Sequence, residues 1–240
     1  MRRGQVVTIL TMFVLLFGAA IPSVAADEQK ITDNASIYYN AAELALGNGD
    51  YKTAISLYDN ALASNTTLIR LTDALLYTYR DKGYAQIQLG NYTEAIVTLN
   101  AGIGEYPNDQ MLWNNKGYAQ YQLGQYSDAV TSYTKAIAID ANYTKALINK
   151  GDALSRLGNY QEAVNSYKAA LASDPGNTVA TTKLADAEKA TADAQSQTMI
   201  VLVIVVIVAV IGVVYYVTRK SAGAQKAVDG KTKKEGKKKK

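Results

Sequence analysis

Residues 113–119 read Trp113-Asn114-Asn115-Lys116-Gly117-Tyr118-Ala119, and the chain continues through Leu123-Gly124-Gln125-Tyr126 to Ala129, Tyr133 and Ala136. Moved forward by 34 residues, the same order returns as Gly151, Ala153, Leu157-Gly158, Tyr160, Ala163, Tyr167 and Ala170, ending at Asp174-Pro175. Moved back by 34, it is Tyr79, Gly83, Ala85, Leu89-Gly90, Tyr92, Ala95, Leu99 and Pro107. Three in-register copies of one period mark a repeat array, in which each unit buries its apolar face against the next. With Gln110 as place one, small residues at places eight, twenty and twenty-seven let two helices approach closely. Large residues at places four, seventeen and twenty-four fill the gaps between copies.

These residues resemble the tetratricopeptide repeat (TPR), a 34-residue antiparallel helix pair with this Trp/Gly/Tyr/Ala/Tyr/Ala/Pro pattern. A more divergent copy precedes them at 35–68, with Tyr38, Gly49-Asp50-Tyr51, Ala54, Tyr58 and Ala61, and with Ala42 where the others have Gly. Seven residues, Ile69–Leu75, separate it from the next copy; being close to two helical turns, they allow one lengthened helix to keep its apolar face in register. The expected fold is an all-α, α-α superhelical solenoid of about four helix pairs at 35–68, 76–109, 110–143 and 144–177. Helix A of each unit runs from about place two to place fourteen, and the Leu-Gly-x-Tyr corner turns the chain at Gly90, Gly124 and Gly158, where a left-handed residue costs little if it is Gly. Helix B follows with Glu94, Asp128 or Glu162 at its positive end. Pro107 and Pro175 end their pairs.

Composition narrows the chemistry. The 240 residues contain no His and no Cys, which removes the commonest general base, the commonest transition-metal ligand and all thiolate chemistry. No acidic residues cluster at a spacing that suggests catalysis. We therefore expect no enzyme, no cofactor and no metal site. The net charge of +4 hides a split: 219–240 carry ten Lys/Arg against Asp229 and Glu235, and Arg2 and Arg3 add two. The body between has 13 bases against 19 acids, a net of −6. A basic tail and an acidic body belong on different sides of a barrier.

Both ends supply that barrier. Residues 1–26 open with Arg2-Arg3, continue with an apolar run from Val6 to Ile21 and end Ser23-Val24-Ala25-Ala26, the pattern of a secretory signal peptide. Its cut follows Ala26 or Ala25, and an uncleaved anchor is the alternative. Residues 27–34 form a polar lead, read as partly irregular. Residues 178–197 have a looser pattern of Val179, Leu184, Ala187, Ala190 and Ala194. It suits a terminal helix covering the last apolar face of a solenoid, with a plain helical stalk as the alternative for its second half. Met199–Val217 is nineteen residues without a charge, enough to cross the ~30 Å hydrocarbon layer. The domain reading therefore places a transmembrane helix at 198–218 and a Lys-rich cytoplasmic tail at 219–240. Arg219-Lys220 directly after the span keep that end in the cytoplasm, which puts the repeats on the extracytoplasmic side. Such a chain looks like a single-pass protein of a prokaryotic cell surface, archaeal or bacterial. The tail suits contact with anionic lipids, and no aromatic platform accompanies it to suggest nucleic acid.

In TPR arrays helix A lines the concave groove through places two, five, nine, twelve and thirteen. Carried over to this sequence, those places hold Tyr39 and Glu43; Tyr77, Arg80, Tyr84 and Gln88; Met111, Asn114, Tyr118, Tyr121 and Gln122; and Lys145, Ile148, Asp152 and Arg156. Tyr and Arg dominate interface hot spots, so the groove is the candidate site for a partner protein's peptide segment or helix. The five places of the two-carboxylate clamp known in some TPR proteins hold Arg80, Tyr84, Asn115, Lys145 and Asn149, of which two match. Most other Tyr, at places seventeen (Tyr51, Tyr92, Tyr126, Tyr160) and twenty-four (Tyr58, Tyr133, Tyr167), read as core. Sequons at Asn34, Asn65, Asn91 and Asn142 are candidate glycosylation sites on the outer side. The function expected is a membrane-tethered interaction scaffold, with a self-associating envelope component as the alternative.

Overall fold

The computed structural model describes residues 22–64 and 73–236, with side chains for 34–64 and 73–220. Among the described residues there are nine helices and no strand: α1 Pro22–Gly47, α2 Tyr51–Ser64, α3 Ala74–Gln88, α4 Tyr92–Glu105, α5 Gln110–Gln122, α6 Tyr126–Ile139, α7 Thr144–Arg156, α8 Tyr160–Ser173 and α9 Thr178–Gly236. Consecutive helices pack as antiparallel pairs, and α3, α5 and α7 also touch one another along the array. This is the expected all-α solenoid, with α1, α3, α5 and α7 as the A helices and α2, α4, α6 and α8 as the B helices.

The corners work as the glycines demand. Gly49, Gly90, Gly124 and Gly158 all take φ of +75 to +79°, a region where a Cβ is penalised. At the second of them, Asn91 N–H donates to Gln86 O (2.9 Å) and Gly90 N–H to Ile87 O (2.9 Å), and the other corners repeat this closure. Helix A of the third unit is capped by Asp109, whose side chain accepts from Leu112 N–H at 2.8 Å.

Place eight and place twenty-four meet across each pair. A Cβ built on Gly117 would lie 2.7 Å from the Tyr133 ring, one on Gly151 would lie 2.5 Å from the Tyr167 ring, and one on Gly83 would lie 2.7 Å from Leu99. In these three units glycine leaves the room in which a large side chain rests on the A-helix backbone, whereas the first unit packs Ala42 at that place beside Tyr58. Tyr58, Tyr133 and Tyr167 are 0%, 1% and 2% exposed, as expected for core. The place-seventeen tyrosines are only half-buried at the start of each B helix.

Places three and ten make the contact with the preceding unit. They are buried as Thr78 and Ala85, Leu112 and Ala119, Ala146 and Ala153, and again as Ala180 and Ala187 in α9. The first part of α9 therefore takes the position of a fifth A helix and covers the fourth pair. In the first unit the same two places are Ile37 and Leu44, exposed at 60% and 68%.

Three details differ from the sequence expectation or extend it. The polar lead 27–34 is not irregular but lies within α1, because Asp, Glu, Gln and Lys there are compatible with helix and none breaks it. The residues 178–197, the apolar run and most of the basic tail form one continuous helix to Gly236, in a stretch with no proline after Pro175. Its 178–220 portion contains a window of mean hydropathy 3.2 that nothing in the fold covers, long and apolar enough to cross a membrane. α3 begins at Ala74 after a turn at Asp73. The rest of the inserted segment, the Asn65 sequon and the signal segment up to residue 21 lie outside the described residues.

Candidate functional site

The A helices expose one contiguous face, and most of the residues assigned to it stand there. Tyr77, Tyr84, Met111 and Tyr118 are 36–40% exposed. Gln88, Gln122, Lys145 and Arg156 are exposed, whereas Tyr39, Glu43, Arg80, Tyr121, Ile148 and Asp152 are half-buried. An exposed aromatic row spanning the second and third units is thus held by two rigid, neighbouring helices.

Arg80 knits that row together. Its guanidinium lies 4.5 Å from the Tyr77 ring centre, its Nη1 is 3.5 Å from Met111 Sδ in the next unit, and its Nε donates to Asp81 Oδ1 at 3.1 Å. Burial raises the Asp81 pKa, although the Arg80 hydrogen bond pulls it down. Tyr84 packs edge-on against Tyr51 of the first unit, with ring centres 6.4 Å apart. Tyr121 meets Tyr126 with ring centres 5.3 Å apart, and the Arg156 guanidinium lies over the Tyr126 ring, 5.6 Å from its centre. Tyr118, Tyr121, Tyr133, Asn149 and Asp152 surround a cleft of about 30 Å³. That is room for about two waters or the tip of one inserted side chain.

Two assigned residues serve the array rather than its face. Asn114 is 1% exposed; its Oδ1 accepts from Asn149 Nδ2 at 3.0 Å, and its Nδ2 donates to Asn115 Oδ1 at 3.4 Å. This amide chain ties the third unit to the fourth and also engages Asn115, one of the two clamp places that match, and Asn149, one that departs from the clamp. Asp152 Oδ1 accepts from Tyr167 Oη at 2.7 Å and from Lys183 Nζ at 2.7 Å, bracing the fourth pair against α9. Glu43 plays the same part at the other end, accepting from Tyr58 Oη. Burial, reinforced by these acids, pushes the Tyr58 and Tyr167 hydroxyls well above the usual phenol range and Tyr39 up to about 12.

Among the described residues no three His, Cys, Asp or Glu side chains gather as a metal site would require. Asn34, Asn91 and Asn142 are exposed; Asn91 and Asn142 lie in turns between helices.

Comparison with known proteins agrees with the geometry. Models described as tetratricopeptide repeat or TPR repeat match residues 45–116, 117–158 and 144–177. The first TPR domain of the human RPAP3 protein is similar at 27% identity and a TM-score of 0.50, over 52% of this chain and 98% of that one. MamA protein is similar at 19% identity and a TM-score of 0.58, over 67% and 84%. A tetratricopeptide repeat protein from Parabacteroides merdae ATCC 43184 is similar at 16% identity and a TM-score of 0.60, over 67% and 61%. The last two likenesses are of fold alone. No curated protein sequence matches the chain.

Proposed function

From the premise that the chain is a tetratricopeptide repeat protein, built of units that serve protein–protein interaction, we propose that it is a membrane-tethered scaffold. Its exposed A-helix face holds a segment of a partner protein. The observation that carries this is the row of Tyr77, Tyr84 and Tyr118, exposed yet fixed on packed helices. Such aromatic side chains lose little freedom on binding and bury a large area. Arg80, Gln88, Gln122, Lys145 and Arg156 supply polar contacts around the row. The small cleft beside Tyr118 and Tyr121 takes the tip of one partner side chain.

The uncharged run in α9 anchors the array in a bilayer, and Arg219 and Lys220 after it orient the repeats to the extracytoplasmic side. The basic residues beyond contact anionic headgroups in the cytoplasmic leaflet.

Crosslinked capture from the host envelope with the full chain, beside Tyr77→Ala/Tyr84→Ala/Tyr118→Ala, tests the groove. A partner held by the native chain and lost with the triple variant, while helix content and melting are retained, supports the reading. Equal capture by both moves the contact elsewhere. Protease digestion of intact cells tests sidedness: the repeats are cut and the tail is protected if the orientation is right.

A second reading, association of two arrays through their first units, draws on Ile37 and Leu44. Sedimentation decides it: a monomer at tens of micromolar removes it.

A further inference from the structure

The last helix leaves the array on a definite side. Ala180 and Ala187 place the start of α9 as a fifth A helix, and every A helix of this array ends at the edge where the Leu-Gly corners lie. α9 does not end there. It runs on past the fourth corner and into the uncharged run that begins at Met199. Corner and run are neighbours in space: residues 158–162 form one wall of a cleft of about 620 Å³, and Thr191, Ala194, Thr198 and Met199 lie on the other. The cleft therefore reaches from the corner of the fourth unit to the first residue of the apolar span. The headgroup layer on each side of the ~30 Å hydrocarbon core is roughly 5–8 Å deep, so the end of the cleft bordered by Thr198 and Met199 stands inside it.

We propose, building on the membrane-tethered reading above, that the Gly158–Glu162 corner is a lipid-facing surface, with a phospholipid headgroup and its glycerol region filling the cleft. The lining fits that occupant. Tyr160 and Met199 offer apolar surface toward the acyl side, and an amphipathic Tyr is at home at this depth. Asn159 and Gln161 offer polar groups to the headgroup. The lining carries one carboxylate, Glu162, and no cation, so it does not select anionic lipid. Leu157, 40% exposed beside the corner, joins the same surface. The far end of the fourth pair is remote from it: Thr178, where α9 starts, lies about 32 Å along the helix from Met199. The array thus stands on the corner of its last unit.

The chain has no cysteine, so single-cysteine variants label uniquely. Asn159→Cys, Gly176→Cys and Val206→Cys would each carry an environment-sensitive fluorophore in the full chain, reconstituted in phosphatidylcholine vesicles. Asn159 caps α8 without a side-chain hydrogen bond, and a Cβ at Gly176 meets only the Asp174 side chain at 3.9 Å, so neither change threatens the fold. Quenchers are spin-labelled lipids with the label on the headgroup or deep on the acyl chain. The expected result is strong acyl-chain quenching at Val206, and headgroup quenching at Asn159 several-fold greater than at Gly176 and unchanged by added anionic lipid. Seven residues of helix inserted between Thr198 and Met199 lift the corner by about 10 Å and should abolish the Asn159 signal. Quenching at Val206 with equal, weak signals at Asn159 and Gly176 overturns this proposal and leaves the tether standing. Absence of acyl-chain quenching at Val206 overturns both.

Discussion

Gly151→Ala probes the contact on which the fourth helix pair is built. The added methyl would lie 2.5 Å from Cε1, 2.7 Å from Cζ and 2.8 Å from Cδ1 of Tyr167, where ordinary contact begins near 3.4 Å. The ring must retreat by about 1 Å, and it is held: its hydroxyl bonds Asp152 at 2.7 Å, and Asp152 is bonded in turn by Lys183. Forcing a methyl into such a site costs about 1–3 kcal/mol. Replacing Gly by Ala within a helix returns about 1 kcal/mol. With the ring tethered, the cost should fall in the upper half of its range, leaving a net loss of about 1–2 kcal/mol. At about 2–4 °C per kcal/mol for an array of this size, the midpoint should drop by roughly 2–8 °C. Gly104→Ala is the control, since Gly104 lies in α4 with nothing within 4 Å of its Cβ and should gain about 0.5–1 kcal/mol. Thermal unfolding of the full chain in detergent, followed by far-ultraviolet circular dichroism, measures both. If Gly151→Ala stabilises as Gly104→Ala does, the ring does not rest on the glycine and the account of place eight is wrong.

Gln86 Oε1 is buried without a hydrogen-bond partner, whereas the same place in the fourth unit is Leu154. Gln86→Leu should therefore raise stability by about 1–3 kcal/mol, and a lower urea midpoint would contradict this. Asp152→Ala removes the acceptor shared by Tyr167 and Lys183. Discounted for the partial exposure of both charges, it should cost about 1–2 kcal/mol while partner capture per folded molecule is retained; loss of capture at unchanged stability would return Asp152 to the groove. Burial raises the Tyr58, Tyr133 and Tyr167 pKa values in the folded state. Their neutral forms therefore support folding fully below the unfolded value of about 10, and that support is lost as pH rises beyond it toward the folded values. Tyrosinate absorbance from these rings should appear together with loss of helix; titration of all eighteen Tyr near pH 10 with helix intact would refute it.

The period of 34 made most of this legible, because a residue's place in the unit determines which backbone it meets. The period places Gly90, Gly124 and Gly158 at left-handed corners and Tyr133 and Tyr167 in the core, and Gly49 joins them as a fourth such corner in the structure. The period does not tell which side chain of a neighbouring unit reaches a given place. Asn114 and Asp152 both sit at groove places, yet one is held by Asn149, 35 residues on, and the other by Lys183, 31 residues on. Lys183 also lies beyond the fourth unit, where the pattern loosens and its place could not be weighed. The lead 27–34 is helical where an irregular lead is expected because polarity without Gly or Pro is as compatible with a solvated helix as with a loop.

Place nine shows how the same position can serve two ends. In the first and fourth units it is Glu43 and Asp152, and each carboxylate is occupied by the hydroxyl of the Tyr at place twenty-four. In the second unit place twenty-four is Leu99, which has no hydroxyl to satisfy, and place nine is free to be Tyr84, 40% exposed. In the third, Tyr133 is buried but its neighbourhood opens into the cleft shared with Tyr118 and Tyr121, and place nine is Tyr118, 36% exposed. The end units therefore use place nine to hold their own helix pairs, and the two inner units present it to the outside. Because one side chain cannot both hold its own helix pair through a carboxylate bond and present an exposed aromatic ring, the exposed tyrosines of place nine fall on the two inner units.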